Sequence, residues 1–141
     1  MDMEKFTERS RGFLQAAQTI AMRESHQKLC PEHLLKALLD DPEGMATGLI
    51  SNAGGDAKSV VDATDAALAK VPRVSGDAGQ TYMDQSTVKV LDEAEKIATK
   101  AGDSFVAVER ILTALAVVKS KAKDELVAGN ITAMKLNAAI N

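Results

Sequence analysis

Residues 14–38, LQAAQTIAMRESHQKLCPEHLLKAL, return 77 positions later as residues 91–115, LDEAEKIATKAGDSFVAVERILTAL. Leu14 falls on Leu91, Ala17 on Ala94, Ile20 on Ile97 and Ala21 on Ala98. With no gap, Glu32 then falls on Glu109, Leu34 on Ile111, Leu35 on Leu112, Ala37 on Ala114 and Leu38 on Leu115. One register spans a helix, a loop and a second helix, which marks an internal duplication. The period is longer than the roughly 20–50 residues of solenoid repeats. Two copies therefore predict one compact domain with pseudo-two-fold symmetry.

Outward from that stretch the pattern is helical throughout. Phe13, Leu14, Ala17, Ile20 and Ala21 recur at spacings of three and four, the stripe of an amphipathic helix. Thr7 is its expected N-cap, because a hydroxyl there can accept from an orphan backbone N–H. Leu29 anchors the following loop. Pro31 suits the first position of a second helix, where its missing N–H costs nothing, and Leu34, Leu35, Leu38 and Leu39 form its buried face. Asp41 and Pro42 are read as the start of a third helix, packed through Met45, Leu49 and Ile50 and stopped at Gly54-Gly55. Asp56 caps a fourth, from Ala57 to about Lys70. Pro72, Ser75, Gly76, Asp77 and Gly79 mark a connector. The plan then repeats, with Asp84 in the place of Thr7. A fifth helix runs over Val88 to Ala98 and ends at Gly102. Phe105 and Val106 serve as loop anchors. A sixth helix carries Ile111, Leu112, Leu115 and Val118, a seventh runs from Lys119 to Gly129 around Leu126 and Val127, and an eighth runs from Thr132 to Ile140. No stretch alternates apolar and polar residues as a strand does. The expected fold is all-α: one domain over 1–141, an eight-helix bundle of two four-helix repeats related by a pseudo-two-fold. Repeat 1 covers about 6–70, the linker about 71–83 and repeat 2 about 84–141.

The bulk numbers narrow the class. Hydrophobic residues make up 45% and charged residues 26%, a globular balance, and aromatics only 3%, so aliphatic side chains and Ala must fill the core. A formal charge of −3 offers no general attraction to nucleic acid. The one cysteine, Cys30, cannot form an internal disulfide. The charged start MDMEKFTERSR lacks the apolar run of a signal peptide. No stretch approaches the roughly 18 apolar residues of a membrane span. The default reading is a cytoplasmic protein without membrane or nucleic-acid partners.

His26, Cys30 and His33 fall within eight residues, with Glu32 among them. A closed zinc site wants four ligands, usually several of them cysteine, and a nucleophilic thiol wants a base and an orienting group. Cys30 is more simply a small residue before the Pro31 helix start. Glu32 and Glu109 each occupy the first turn of the second helix of their half. The helix dipole alone accounts for acids there; two symmetry-related carboxylates could also attract basic groups on a partner. Leu91 stands where a cleft between duplicated halves would leave apolar surface over. The phosphate loop GxxxxGK[ST] is absent, since Gly54-Gly55 is followed by Asp56-Ala57-Lys58.

KFTERSRGFLQAAQTIA, PEHLLKALLDD, KVPRVSGDAGQ and KVLDEAEKIATKAGDSFVAVERILTAL together resemble the N-terminal domains of the Clp family of AAA+ proteins, in its ClpB disaggregase branch. The resemblance implies a stress-response chaperone module with no catalytic motif of its own and no cofactor. ATP and Mg²⁺ would belong to AAA+ modules elsewhere in a homohexameric parent. It implies partners among unfolded or aggregated polypeptides, which the ring then threads, and cooperation with the DnaK chaperone system. By residue type within FTER, KVLD, GDSF and VERI, it carries substrate engagement onto Thr7, Leu91, Asp103 and Glu109. Arg110 departs from the apolar residue found there in some relatives. The alternative is an adaptor- or phosphoarginine-docking domain of a protease-linked Clp ATPase, in which Thr7 and Glu32 matter more than Leu91. Asp84, a carboxylate where those relatives use Thr, works against binding a phosphate in the second half.

Overall fold

The structure, a computed structural model, describes residues 2–74 and 81–140. Part of the linker expected over 71–83, residues 75–80, lies outside the described residues. After a 3-10 turn at Met3–Lys5 come α1 (Glu8–Arg23), β1 (Lys28–Leu29), α2 (Pro31–Leu39), α3 (Met45–Asn52), α4 (Ala57–Ala69), β2 (Tyr82–Met83), α5 (Gln85–Lys100), α6 (Val108–Val117), α7 (Lys121–Ala128) and α8 (Ala133–Ile140). The fold is all-α, with eight α-helices among the described residues.

The central helices are α2 and α6. All of α2 except Lys36 is buried, as is α6 from Ile111 to Ala116. Leu34, Leu35, Ile111, Leu112 and Leu115 are fully inaccessible. Such all-round apolar helices belong in an interior, and the striped α1 and α5 cover them.

Hydrogen bonds repeat at the sequence offset. The Thr7 N–H donates to the Val106 carbonyl at 3.1 Å, and the Ser10 hydroxyl donates to the same oxygen at 2.9 Å. Seventy-seven residues on, the Asp84 N–H donates to the Leu29 carbonyl at 3.1 Å and the Thr87 hydroxyl at 2.7 Å. Each half thus anchors the start of its first helix on the loop of the other half. A parallel bridge joins Phe6 to Val106, and the equivalent pairing joins Met83 to Leu29. The helix ends repeat too. Ser25 (φ 57°) follows α1 and Gly102 (φ 82°) follows α5 in the left-handed region. The next N–H, of His26 or Asp103, closes back on Ala21 or Ala98 at 2.8 and 2.9 Å, a Schellman end in both copies.

Several local expectations change. The two-residue parallel pair β1–β2 was not expected; it is the clasp seen as backbone pairing, too short to leave an alternating pattern. Pro42 sits in a turn rather than starting α3. The Asp41 carboxylate accepts the Glu43 N–H at 3.1 Å, and the chain enters α3 through Gly44 at φ 69°. Asp84 holds the N-cap position of α5, but its side chain makes no capping bond. The seventh helix starts at Lys121 because the Ser120 hydroxyl caps it. Phe105 and Val127 are not anchors: they are 55% and 54% exposed.

The turns at Gly55 and Gly129 meet back to back. The Asp56 N–H donates to the Gly129 carbonyl at 2.9 Å. A Cβ on Gly129 would stand 2.8 Å from the Asp56 carbonyl oxygen and inside the Val60 side chain. Gly129→Ala should therefore lower stability by about 1–3 kcal/mol, the usual cost of overpacking a site that cannot yield. A urea titration reads this directly, and an unchanged midpoint would show that the turns can separate.

Candidate binding site

The clasp brings the start of α1 against the loop that enters α6. Thr7 caps α1, its hydroxyl oxygen accepting the Ser10 N–H at 3.0 Å. Its own N–H is fixed on Val106, and the half-buried Glu109 stands in the first turn of α6, three residues beyond. Asp103 and Phe105 precede Val106 on the same loop. The edge formed by the α1 start, this loop and the α6 start thus carries Thr7, Asp103 and Glu109.

Two features of that edge differ from the expectation. Leu91 is 0% exposed and belongs to the core, so it offers no apolar strip to a partner. The α5 stripe that carries it faces α6 squarely, which leaves no surplus apolar surface at this position. The exposed apolar side chain is instead Phe105. Asp103 is paired within the chain: Arg110 Nε donates to its carboxylate at 2.7 Å, with the two side chains 12% and 29% exposed. The charge of Asp103 is thus already balanced, whereas Glu109 forms no salt bridge among the described residues.

The same place in the first half holds different chemistry. His26 and His33 sit 77 positions before Asp103 and Arg110. His26 Nδ1 lies 2.8 Å from His33 Nε2, and His33 Nδ1 accepts the Cys30 N–H at 2.9 Å. With Nδ1 an acceptor, His33 in its neutral form donates from Nε2 to His26. Burial lowers the pKa of both rings, His33 to about 4. Three of the four ring nitrogens of the pair are within that chain of bonds. The Cys30 thiol is pushed up to about 11 by burial, with Glu32 and Asp84 adding to it, so it is not a ready nucleophile. Among the described residues no group of three His, Cys, Asp or Glu is placed to hold a metal ion.

Glu32 is 6% exposed and borders a cleft of about 440 Å³. Asp84, Ser86, Lys28, Lys70 and Lys121 also line it. Burial raises the Glu32 pKa, and Asp84 adds to the shift. Sequence reasoning grouped Thr7 with Glu32 and Asp84 with Glu109, half by half. The exchange of helix starts between the halves instead sets Asp84 beside Glu32 and Thr7 against the α6 loop, and the Phe105 exposure and both side-chain pairs were missed. The 77-residue offset was the signal that could have matched His26/His33 with Asp103/Arg110.

This duplicated helical architecture has relatives. Residues 5–128 match the Clp repeat (R) N-terminal domain. The chain belongs to that family. Over its whole length this Clp N-domain is 55% identical to the chaperone protein ClpB of Rhodopseudomonas palustris, of which it spans 16%. Its fold is similar to that of the Hsp104 N-terminal domain from Candida albicans, with a TM-score of 0.84 and 22% identity over 96% of this chain and 88% of that one. It is also similar to a ClpV N-domain solved in complex with a VipB peptide, at a TM-score of 0.73 and 21% identity over 95% and 83% of the two chains. No helix among the described residues is long and apolar enough to cross a membrane.

The buried histidine pair sets an acid limit. Both folded pKa values lie below the usual 6.5, so the unfolded chain takes up protons that the folded chain refuses. Stability is then present above pH 6.5 and lost as pH falls toward about 4. The pair's share of the unfolding free energy read from urea titrations should fall between pH 6.5 and about pH 5 by about 1.4 kcal/mol per pH unit for each proton taken up, superposed on the opposite trend of the buried Glu125 carboxyl. A His26→Gln/His33→Gln variant should flatten that slope; equal slopes in both proteins would rule out the pair as its source.

Proposed function

We propose that this Clp N-domain is the polypeptide-capture module of an ATP-dependent disaggregase, and that it engages unfolded or aggregated chains for threading by an AAA+ ring. The observation that carries this is the edge beside the clasp. The exposed ring of Phe105 stands on the same short loop-to-helix segment as Glu109, a carboxylate without a salt-bridge partner among the described residues. Thr7 fixes that segment to α1. An aromatic face beside a carboxylate suits segments that mix apolar and basic residues, as sequences exposed by unfolding do. Asp103 acts through Arg110 by holding the loop, not by meeting the partner. Leu91 supports the edge from the core.

The reading draws on the ClpB chaperones among the relatives and on the peptide complex of the ClpV N-domain. In it the chain is no enzyme and holds no cofactor. The parent supplies ATP and Mg²⁺ through AAA+ modules, assembles as a cytoplasmic homohexamer and works with the DnaK system. Copies tethered to one ring raise the effective concentration, so weak capture by each suffices. A second reading is docking of a modified arginine in the Glu32 cleft. Its support is the mixture of signs there, with Glu32 and Asp84 for a guanidinium and Lys28, Lys70 and Lys121 for a phosphate.

An amide NMR titration with a permanently unfolded, lysine-containing polypeptide separates the two. Shifts should cluster at Thr7, Phe105 and Glu109. Glu109→Lys together with Phe105→Ala should weaken binding about tenfold or more, since each lost contact of this kind is worth on the order of 1 kcal/mol, with thermal stability unchanged. Shifts confined to Glu32, Lys28 and Ser120 would favour the docking reading. Unshifted spectra at saturating polypeptide would end both.

A further inference from the structure

α7 brings into the fold a carboxyl group with no cationic partner in salt-bridge range among the described residues. Glu125 is 4% exposed, and neither Oε1 nor Oε2 has a partner at hydrogen-bond geometry among the described residues. The helix packs on α4, α6 and α2. From α4 comes Thr64, the one hydroxyl close enough to act on Glu125, where it lowers the pKa by less than burial and Glu32 raise it; its proton is shared with the Val60 carbonyl, to which it donates at 2.7 Å. From α2 comes Glu32, a second buried carboxyl. α7 itself adds Asp124 and, one turn earlier, the exposed Lys121, the one cation among the charges that act on Glu125; none of those charges comes from α6. A buried carboxylate with at most one shared hydroxyl donor, beside another carboxyl, is strongly disfavoured, so the packing favours the neutral acid.

We infer that α7 is a proton-dependent latch: it stays seated on α2 and α4 while Glu125 is protonated, and lifting it releases that proton. Burial, reinforced by Glu32, holds the Glu125 carboxyl up at about 8, against 4.5 for an ordinary glutamate in water. The seated form keeps a proton that the lifted form loses. Lifting therefore becomes easier as pH rises from 4.5 to about 8, and no easier beyond that. One proton makes the opening equilibrium rise roughly tenfold per pH unit across that window. Ser120 and Lys121, at the start of α7, border the same cleft as Glu32, so the position of the latch and the shape of the cleft change together.

Amide hydrogen exchange on the 141-residue chain tests this, with rates corrected for the intrinsic effect of pH and α5 as the internal reference. The protection of α7 should lie below that of α5 and fall roughly tenfold per pH unit up to about pH 8 before levelling off. In Glu125→Gln the protection of α7 should not vary with pH. A pH-independent α7 in the native chain, the same slope in the variant, or α7 protection equal to that of α5 at every pH would each overturn the latch. Should the variant fail to fold, a carboxyl carbon NMR titration of the native chain decides. A Glu125 midpoint near 8 supports the latch, and a midpoint in the usual carboxylate range refutes it.

Discussion

Two carbonyl oxygens, those of Leu29 and Val106, hold the two halves of the chain in register. Each accepts a backbone N–H and a hydroxyl from the start of the opposite half's first helix. Both loops are buried at these residues, and a buried carbonyl left without donors costs on the order of 1–3 kcal/mol. The clasp is therefore a constraint rather than an ornament. It fixes where α1 and α5 begin, and through them which face each turns to the central pair α2 and α6. It also fixes where the α6 entrance loop, with Phe105 and Glu109, meets Thr7.

Given that frame, the halves could diverge where the clasp does not reach. His26/His33 and Asp103/Arg110 occupy matching positions and make bonds of 2.8 and 2.7 Å. Each ties the end of a first helix to the start of a second. The histidine pair does so without charge and fully buried, beside a walled cleft. The aspartate–arginine pair does so with charge and partly in water, on an open edge. A neutral pair avoids the desolvation that an ion pair would suffer in the interior.

The repeat was legible because helical stripes are long signals: Leu14, Ala17, Ile20 and Ala21 against Leu91, Ala94, Ile97 and Ala98 leave little room for another register. Caps with an oxygen side chain, Thr7 and Asp56, were legible for the same local reason. Burial at element ends was not. Phe105 and Val106 are adjacent apolar residues in one loop, and only the clasp decides that Val106 goes in and Phe105 stays out. Leu91 is the reverse case: its stripe was plain, but its complete coverage depends on how α6 packs. Glu125 gave no signal at all, since a glutamate in a short amphipathic helix reads as a solvent residue until α2 and α4 close over it.

The clasp also bears on how fast such a chain reaches its native state. A helical bundle ordinarily forms from neighbours in sequence and folds quickly. Here the Ser10 hydroxyl must find a carbonyl 96 residues away, and the Thr87 hydroxyl one 58 residues back. Neither half can complete its first helix before the other has placed its loop. The entropy of closing those long loops falls early in folding. The chain thus has the helices of a fast folder, yet the bonds that join its halves close across long separations in sequence.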